Sequence, residues 1–161
     1  MGATDRTGRL PEDVRRVLTA AGWYAGRDVS DRVATWLRQL PGSLPVHPVA
    51  RALLDEFGGL AFRQLRRIGS ASGGFDVRFW PLRGRVLVDL FAEFAADLGV
   101  PVFPLAWYED GESDIACAAD GRVFLLHEAG EFLVGPTPEQ AIVRLVRGEP
   151  FTLVDDHGNP V

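Results

Sequence analysis

The sequence predicts an α+β fold, an antiparallel sheet meander with helices packed against it, on three observations. The first part of the chain carries stretches whose apolar residues recur at i, i+3 and i+4, the spacing of helices with one buried face. From Val100 the period shortens to the runs VPVFPLAWY, SDIACAA, RVFLLH and EFLVG, joined by EDGE, DG and EAGE. An amphipathic stretch follows them, so helices, a meander and a closing helix succeed one another in one chain. With 161 residues, 47% of them hydrophobic, one core is expected and a second has little room.

The first helix is PEDVRRVLTAAG. Pro11 stands at its first turn, Glu12 and Asp13 face the positive helix end, and Val14, Val17, Leu18 and Ala21 form its stripe up to a stop at Gly22. SDRVATWLRQLPG repeats this with Val33, Trp36, Leu37 and Leu40, ended by Pro41-Gly42. HPVARALLDEFGG starts at Pro48, turns Val49, Ala52, Leu53 and Phe57 inward, and stops at Gly58-Gly59. Leu60 to Ile68 reads as a strand, GSASGG as a turn and Phe75 to Leu82 as the partner strand. A fourth helix runs from Val86 to Leu98, with Leu87, Leu90, Phe91, Phe94 and Leu98 on one side and Asp89, Glu93 and Asp97 on the other, capped by Gly99. In the meander, Asp120-Gly121 between apolar runs is a tight-turn signal. Thr137-Pro138-Glu139-Gln140 opens the last helix as a capping box, Ile142, Leu145 and Val146 face inward, and Gly148 ends it.

The charge pattern narrows the function. The net charge of -5 does not supply the basic patch that phosphate binding requires, so nucleic acid is not an expected partner. Residues 1–100 carry 14 Arg against 11 acidic residues, a net of +3, whereas residues 101–161 carry 3 Arg against 11, a net of -8. The acidity belongs to the last third. All 17 basic residues are Arg, a usage of the kind that GC-rich coding produces, and it carries no functional weight. A lone cysteine, Cys117, forms no internal disulfide and fits a reducing, cytoplasmic setting. The polar start MGATDRTGR and the lack of a run near about 18 apolar residues predict neither a signal peptide nor a membrane span.

No motif carries a defined chemistry. Cys117 would need a base, and the histidines are His47, His127 and His157. His127 could face it across a hairpin, but a small thiol alternating with Ile115 and Ala119 packs as a core residue. His47, just before Pro48, reads as a helix cap or a surface residue, and His157 lies in an unpatterned tail, so no metal or other cofactor is expected. GSASGG and FGGL lack both phosphate-loop patterns and read as turns. Arg63, Arg66 and Arg67 read as a basic edge that discourages strand pairing.

The densest chemistry is WYEDGESD, in which Trp107 and Tyr108 precede Glu109, Asp110, Glu112 and Asp114. EAGE adds Glu128 and Glu131. Three readings stand for these carboxylates: a solvated hairpin tip, a protein contact, and a catalytic pair or hard-cation site. D-G-E-S-D offers only the first part of a calcium-loop pattern.

The order AGWYAGRDV, HPVARALLDEFGGL, VFPLAWYEDGESDIACAADGRVFLLHEAGEFLVG and a closing amphipathic helix resembles the SUKH superfamily of bacterial immunity proteins, specifically its third subgroup. The resemblance covers Leu10 to Gly148. Its most specific residues are Ala21-Gly22-Trp23 with Gly26-Arg27, the run Glu56-Phe57-Gly58-Gly59-Leu60, and Asp120-Gly121-Arg122-Val123 following Phe103-Pro104-Leu105. Ala106-Trp107-Tyr108 after FPL departs from it. The resemblance implies a SUKH-like α+β domain over residues 10–148, set between a flexible N-terminus, 1–9, and an acidic C-terminal tail, 149–161.

It also implies a non-enzymatic task, in which the protein binds a cognate toxin domain and blocks it. The toxins of such proteins are often nucleases or deaminases. Trp107, Tyr108, Glu109, Asp110, Glu112, Asp114, Glu128 and Glu131 are the expected contact residues, and a monomer is the expected free state. A regulatory protein-binding module of the same fold, or an enzyme using the acidic loop, are the competing readings.

Overall fold

A computed structural model describes residues 9–40, 42, 44–65, 74–81, 88–108 and 113–161. Among them the order is α1 (Glu12–Ala20), α2 (Ser30–Leu37), α3 (Pro48–Phe57), β1 (Ala61–Arg63), β2 (Asp76–Arg78), α4 (Val88–Leu98), β3 (Val102–Tyr108), β4 (Asp114–Ala118), β5 (Val123–His127), β6 (Gly130–Gly135), α5 (Pro138–Arg147) and β7 (Thr152–Val154). The strands form one sheet in sequence order, and every neighbouring pair is antiparallel. The α+β class read from the sequence is the class observed.

Strand register assigns the layers, because side chains paired across neighbouring strands lie on one face. Ala116 pairs with Phe124, and Phe94 of α4 meets Phe124 edge-on at 5.1 Å, so α4 covers this face. Val77 pairs with both Phe62 and Tyr108 on the opposite face, where Phe79 meets Phe62 and Phe57 of α3. There α3 packs on β3 and β4, α5 on β6, α2 on α3 and α1 on α5. β3 and β4 lie between these layers and are buried on both faces. Their apolar runs are continuous for that reason and do not alternate.

Several local predictions change. Among the described residues of the strand expected over Leu60 to Ile68, Ala61–Arg63 form β1, and Gln64 beyond it turns inward; residues 66–73, which hold Arg66, Arg67 and most of GSASGG, lie outside the described residues. Of the partner strand expected over Phe75 to Leu82, Asp76–Arg78 form β2, and Leu82 lies outside the described residues. In α3 the inward residues are Ala50, Leu53, Leu54 and Phe57, while Ala52 is exposed. This helix sits between α2 and the sheet, so its buried arc is wider and differently centred than a single stripe. Arg9, placed in the flexible N-terminus, pairs with Glu139 of α5 at 3.1 Å. The expected acidic tail contributes β7 to the sheet, and Val154 is buried against β6. Past β7 the chain turns back, Asp155 N donating to Asn159 O at 2.8 Å and Val154 bridging Pro160.

The helix ends follow their sequence signals more closely. Thr137 Oγ1 accepts from Gln140 N at 3.3 Å, the forward half of the capping box, and Gly148 takes the left-handed conformation at φ 66°.

Candidate functional site

The meander brings its acidic connections to one end. β3 leaves and β4 enters the sheet at the end where β5 leaves and β6 enters, so the link after Tyr108 and the turn at Glu128 are neighbours. Pairing of Trp107 with Asp114, Asp114 with Leu126, and Leu126 with Glu131 sets Trp107, Asp114 and Glu131 in one row on the α4 face. Arg78, the partner of Trp107 on β2, lies with its guanidinium 5.9 Å from the Trp107 ring centroid. Glu128 is exposed in the adjoining turn. Glu109, Asp110 and Glu112 lie outside the described residues.

Tyr108 does not join this row. The β3–β4 register shifts between Pro104 and Ala106, which inserts one extra residue into β3. Such a bulge exchanges the faces of the residues after it. Trp107 is thereby placed on the α4 face and half-buried, while Tyr108 is turned to the opposite face and is only 5% exposed. The shift follows Pro104, which has no N–H to give to a ladder. Tyr108 is a wall residue of that face.

It lines a cleft of about 320 Å³ with Phe75, Leu125, Phe132 and Phe151, and with Ser113 and His127 at the acidic end. Gln64 forms its floor. The amide nitrogen of Gln64 donates to Tyr108 Oη at 3.1 Å and to Leu145 O at 2.9 Å, and its Oε1 accepts from Phe75 N at 3.1 Å. A buried amide satisfied on three sides ties β1, β3 and α5 together at this point. Sequence reasoning missed Gln64, although the alternation Leu60, Phe62, Gln64 places it on an apolar face.

The nucleophile candidate lacks the necessary geometry. Cys117 pairs with Val123, and His127 sits four positions further along β5. Burial pushes the Cys117 thiol up to about 12, and its Sγ donates to Ala118 O at 3.3 Å. A neutral buried thiol is a poor nucleophile near neutrality. His47 is a cap, as its position suggested, and is buried. Its Nδ1 accepts from Ala50 N at 3.2 Å, which leaves the proton on Nε2 to donate to Cys117 O at 2.8 Å. The ring thus joins the start of α3 to the middle of β4. His157 also has a partner, with Nδ1 3.0 Å from Asp97 O. Among the described residues no group of three or more His, Cys, Asp and Glu is placed to hold a metal ion.

The short motifs at the start of the chain meet in space. Trp23 Nε1 donates to Glu56 Oε1 at 3.2 Å, and Arg27 donates to the carbonyls of Glu56 and Gly58, the latter at 2.8 Å. The guanidinium therefore covers carbonyls at the C-terminus of α3, where the helix dipole favours a cation. A Cβ at Gly58 would run into Leu54 O and the Trp36 ring. Ala21-Gly22-Trp23, Gly26-Arg27 and Glu56 to Leu60 are two halves of one structural clamp. Asp120-Gly121-Arg122 is a second local device: Asp120 accepts from Arg122 N at 3.1 Å and Nε at 3.0 Å, and Gly121 takes φ 96°.

Compared with known families, residues 10–148 match the SUKH-3 immunity protein model. No curated protein and no solved structure matches the chain.

Proposed function

The chain belongs to the SUKH-3 immunity protein family, and we propose that it neutralises a cognate toxin domain by binding it through the acidic end of the meander, with no chemistry of its own. The observation that carries this reading is the row of Trp107, Asp114 and Glu131 beside the exposed Glu128, which gathers carboxylates from two strands and a turn around one ring. Glu109, Asp110 and Glu112 belong to the link between two of those strands and complete the proposed surface. A nuclease or nucleic-acid deaminase holds phosphates on a basic surface. An acidic partner steers onto such a surface and occupies it, so the net of -8 in residues 101–161 supports a toxin of that class. Trp107 adds a large amphipathic ring to a charged rim, a residue type that often dominates interface energetics.

The binding is one-to-one, and the protein acts in the cytoplasm as a monomer. No helix among the described residues is long and apolar enough to cross a membrane. The test is co-expression with the product of the adjacent upstream gene, scored for rescue of growth. Charge reversal at Glu109, Asp110 and Glu112, joined to Asp114→Lys and Glu131→Lys, is expected to abolish growth rescue while the protein stays folded and abundant. Undiminished rescue by that variant would remove the acidic end from the interface.

A further inference from the structure

The cleft on the face opposite α4 has a composition that the rim alone does not explain. Its rings form a near-parallel array: Phe75 and Tyr108 are 5.6 Å apart between centroids at 24°, and Tyr108 and Phe151 are 6.4 Å apart at 14°. Ring faces are electron-rich and attract a cation that lies against them. Glu149 stands on the same wall. Its carboxylate lies 3.7 Å from Arg147, but Arg147 already gives Nε and Nη2 to Asp13 at 2.9 and 3.0 Å. Glu149 thus shares Arg147 with Asp13, and about a third of its side chain is exposed, at 34%.

Charge and size then select the guest. An anion would meet Glu149, and a purely apolar guest would strip water from its carboxylate with no return. A cation uses rings and carboxylate together. A volume of about 320 Å³ admits one long side chain.

We propose that this cleft is a socket for a single arginine side chain of the partner protein, its guanidinium lying against the Phe75, Tyr108 and Phe151 array and paired with Glu149. Arginine fits better than lysine because its planar guanidinium is weakly hydrated and stacks on aromatic faces, whereas an ammonium holds its water tightly. The proposal rests on the toxin-binding reading and deepens it, giving a basic toxin surface one anchoring residue beneath the acidic rim.

The test titrates the isotope-labelled full chain with N-acetyl-arginine methylamide and with the uncharged citrulline analogue of the same shape. Saturable shifts at the amides of Phe75, Ala129 and Gly148 are expected with the arginine compound, with the citrulline compound about tenfold weaker. Glu149→Gln should weaken arginine binding by a similar factor while the remaining spectrum is unchanged. Phe75→Leu, which keeps the wall apolar but removes a ring face, should weaken it as well. Equal affinity for the two compounds, no saturable shift at those amides, or full affinity in Glu149→Gln would overturn the socket. Growth rescue by the wild-type chain despite any of these results would leave the immunity reading in place. Arginine binding without rescue would instead remove the toxin-neutralising reading and keep the cleft as a cation site.

Discussion

The clamp at the end of α3 and the acidic end of the meander use polar side chains in opposite ways. In the clamp, Trp23 and Arg27 spend their donors on Glu56 and the carbonyls of Glu56 and Gly58, all inside one chain. At the meander end, Glu128 projects from its turn into solvent, and Asp114 and Glu131 lie half-exposed on a sheet face. The clamp holds most of the short motifs on which the sequence resemblance to the family rests. The meander end holds Ala106-Trp107-Tyr108 after FPL. The residues that specify this fold and those proposed to select its partner are therefore different residues, and each set should fail in its own way when changed.

The largest expected effect is on the clamp. Trp23→Ala removes a buried indole together with its hydrogen bond and should destabilise the fold by about 3 to 5 kcal/mol. A denaturant titration checks this, and a shift below about 1 kcal/mol would break the comparison, because the motif would then have no structural work to explain it. Arg27→Ala should follow at about 2 to 3 kcal/mol, since it leaves helix-end carbonyls without their charged donor. Toxin affinity of the folded fraction should stay unchanged in both variants.

Opposite behaviour is expected at the meander end. Glu131→Lys should move stability by no more than about 0.5 kcal/mol while slowing toxin association and flattening its dependence on salt. Stopped-flow association at two ionic strengths reads this directly.

A pH titration sharpens the structural side. Hydrogen bonding from Arg147 holds the Asp13 carboxyl below its ordinary value of 3.8. A depressed folded value means that this α1–α5 contact stabilises the fold above the unfolded value and is lost as pH falls through the folded one. Asp13→Asn should therefore remove part of the loss of stability below 3.8 and leave neutral-pH toxin binding intact. The smallest effect belongs to Cys117. A thiol reagent should leave it unmodified in the native protein and modify it on unfolding, and Cys117→Ala should preserve neutralisation.

Much of the fold was legible because its signals are local. Asp120-Gly121, Thr137 with Gln140, and the apolar runs of β3 to β6 each specify their own geometry. What could not be read depends on contacts distant in sequence. β7 is three residues whose strand character comes from the edge of β6. Gln64 makes sense only beside Tyr108 and Leu145. For the site, the sequence identified an acidic cluster but not the sidedness of its two rings, since a strand buried on both faces hides its alternation and the register shift after Pro104 exchanges the faces.

The most direct measurement of the central claim is amide hydrogen exchange of the chain alone and in complex with the toxin that co-expression identifies as its partner. New protection is expected in peptides spanning 107–114 and 127–131, with α1 to α3 unchanged. Protection confined to α1, α2 and the clamp, with 107–114 exchanging as in the free protein, would contradict it.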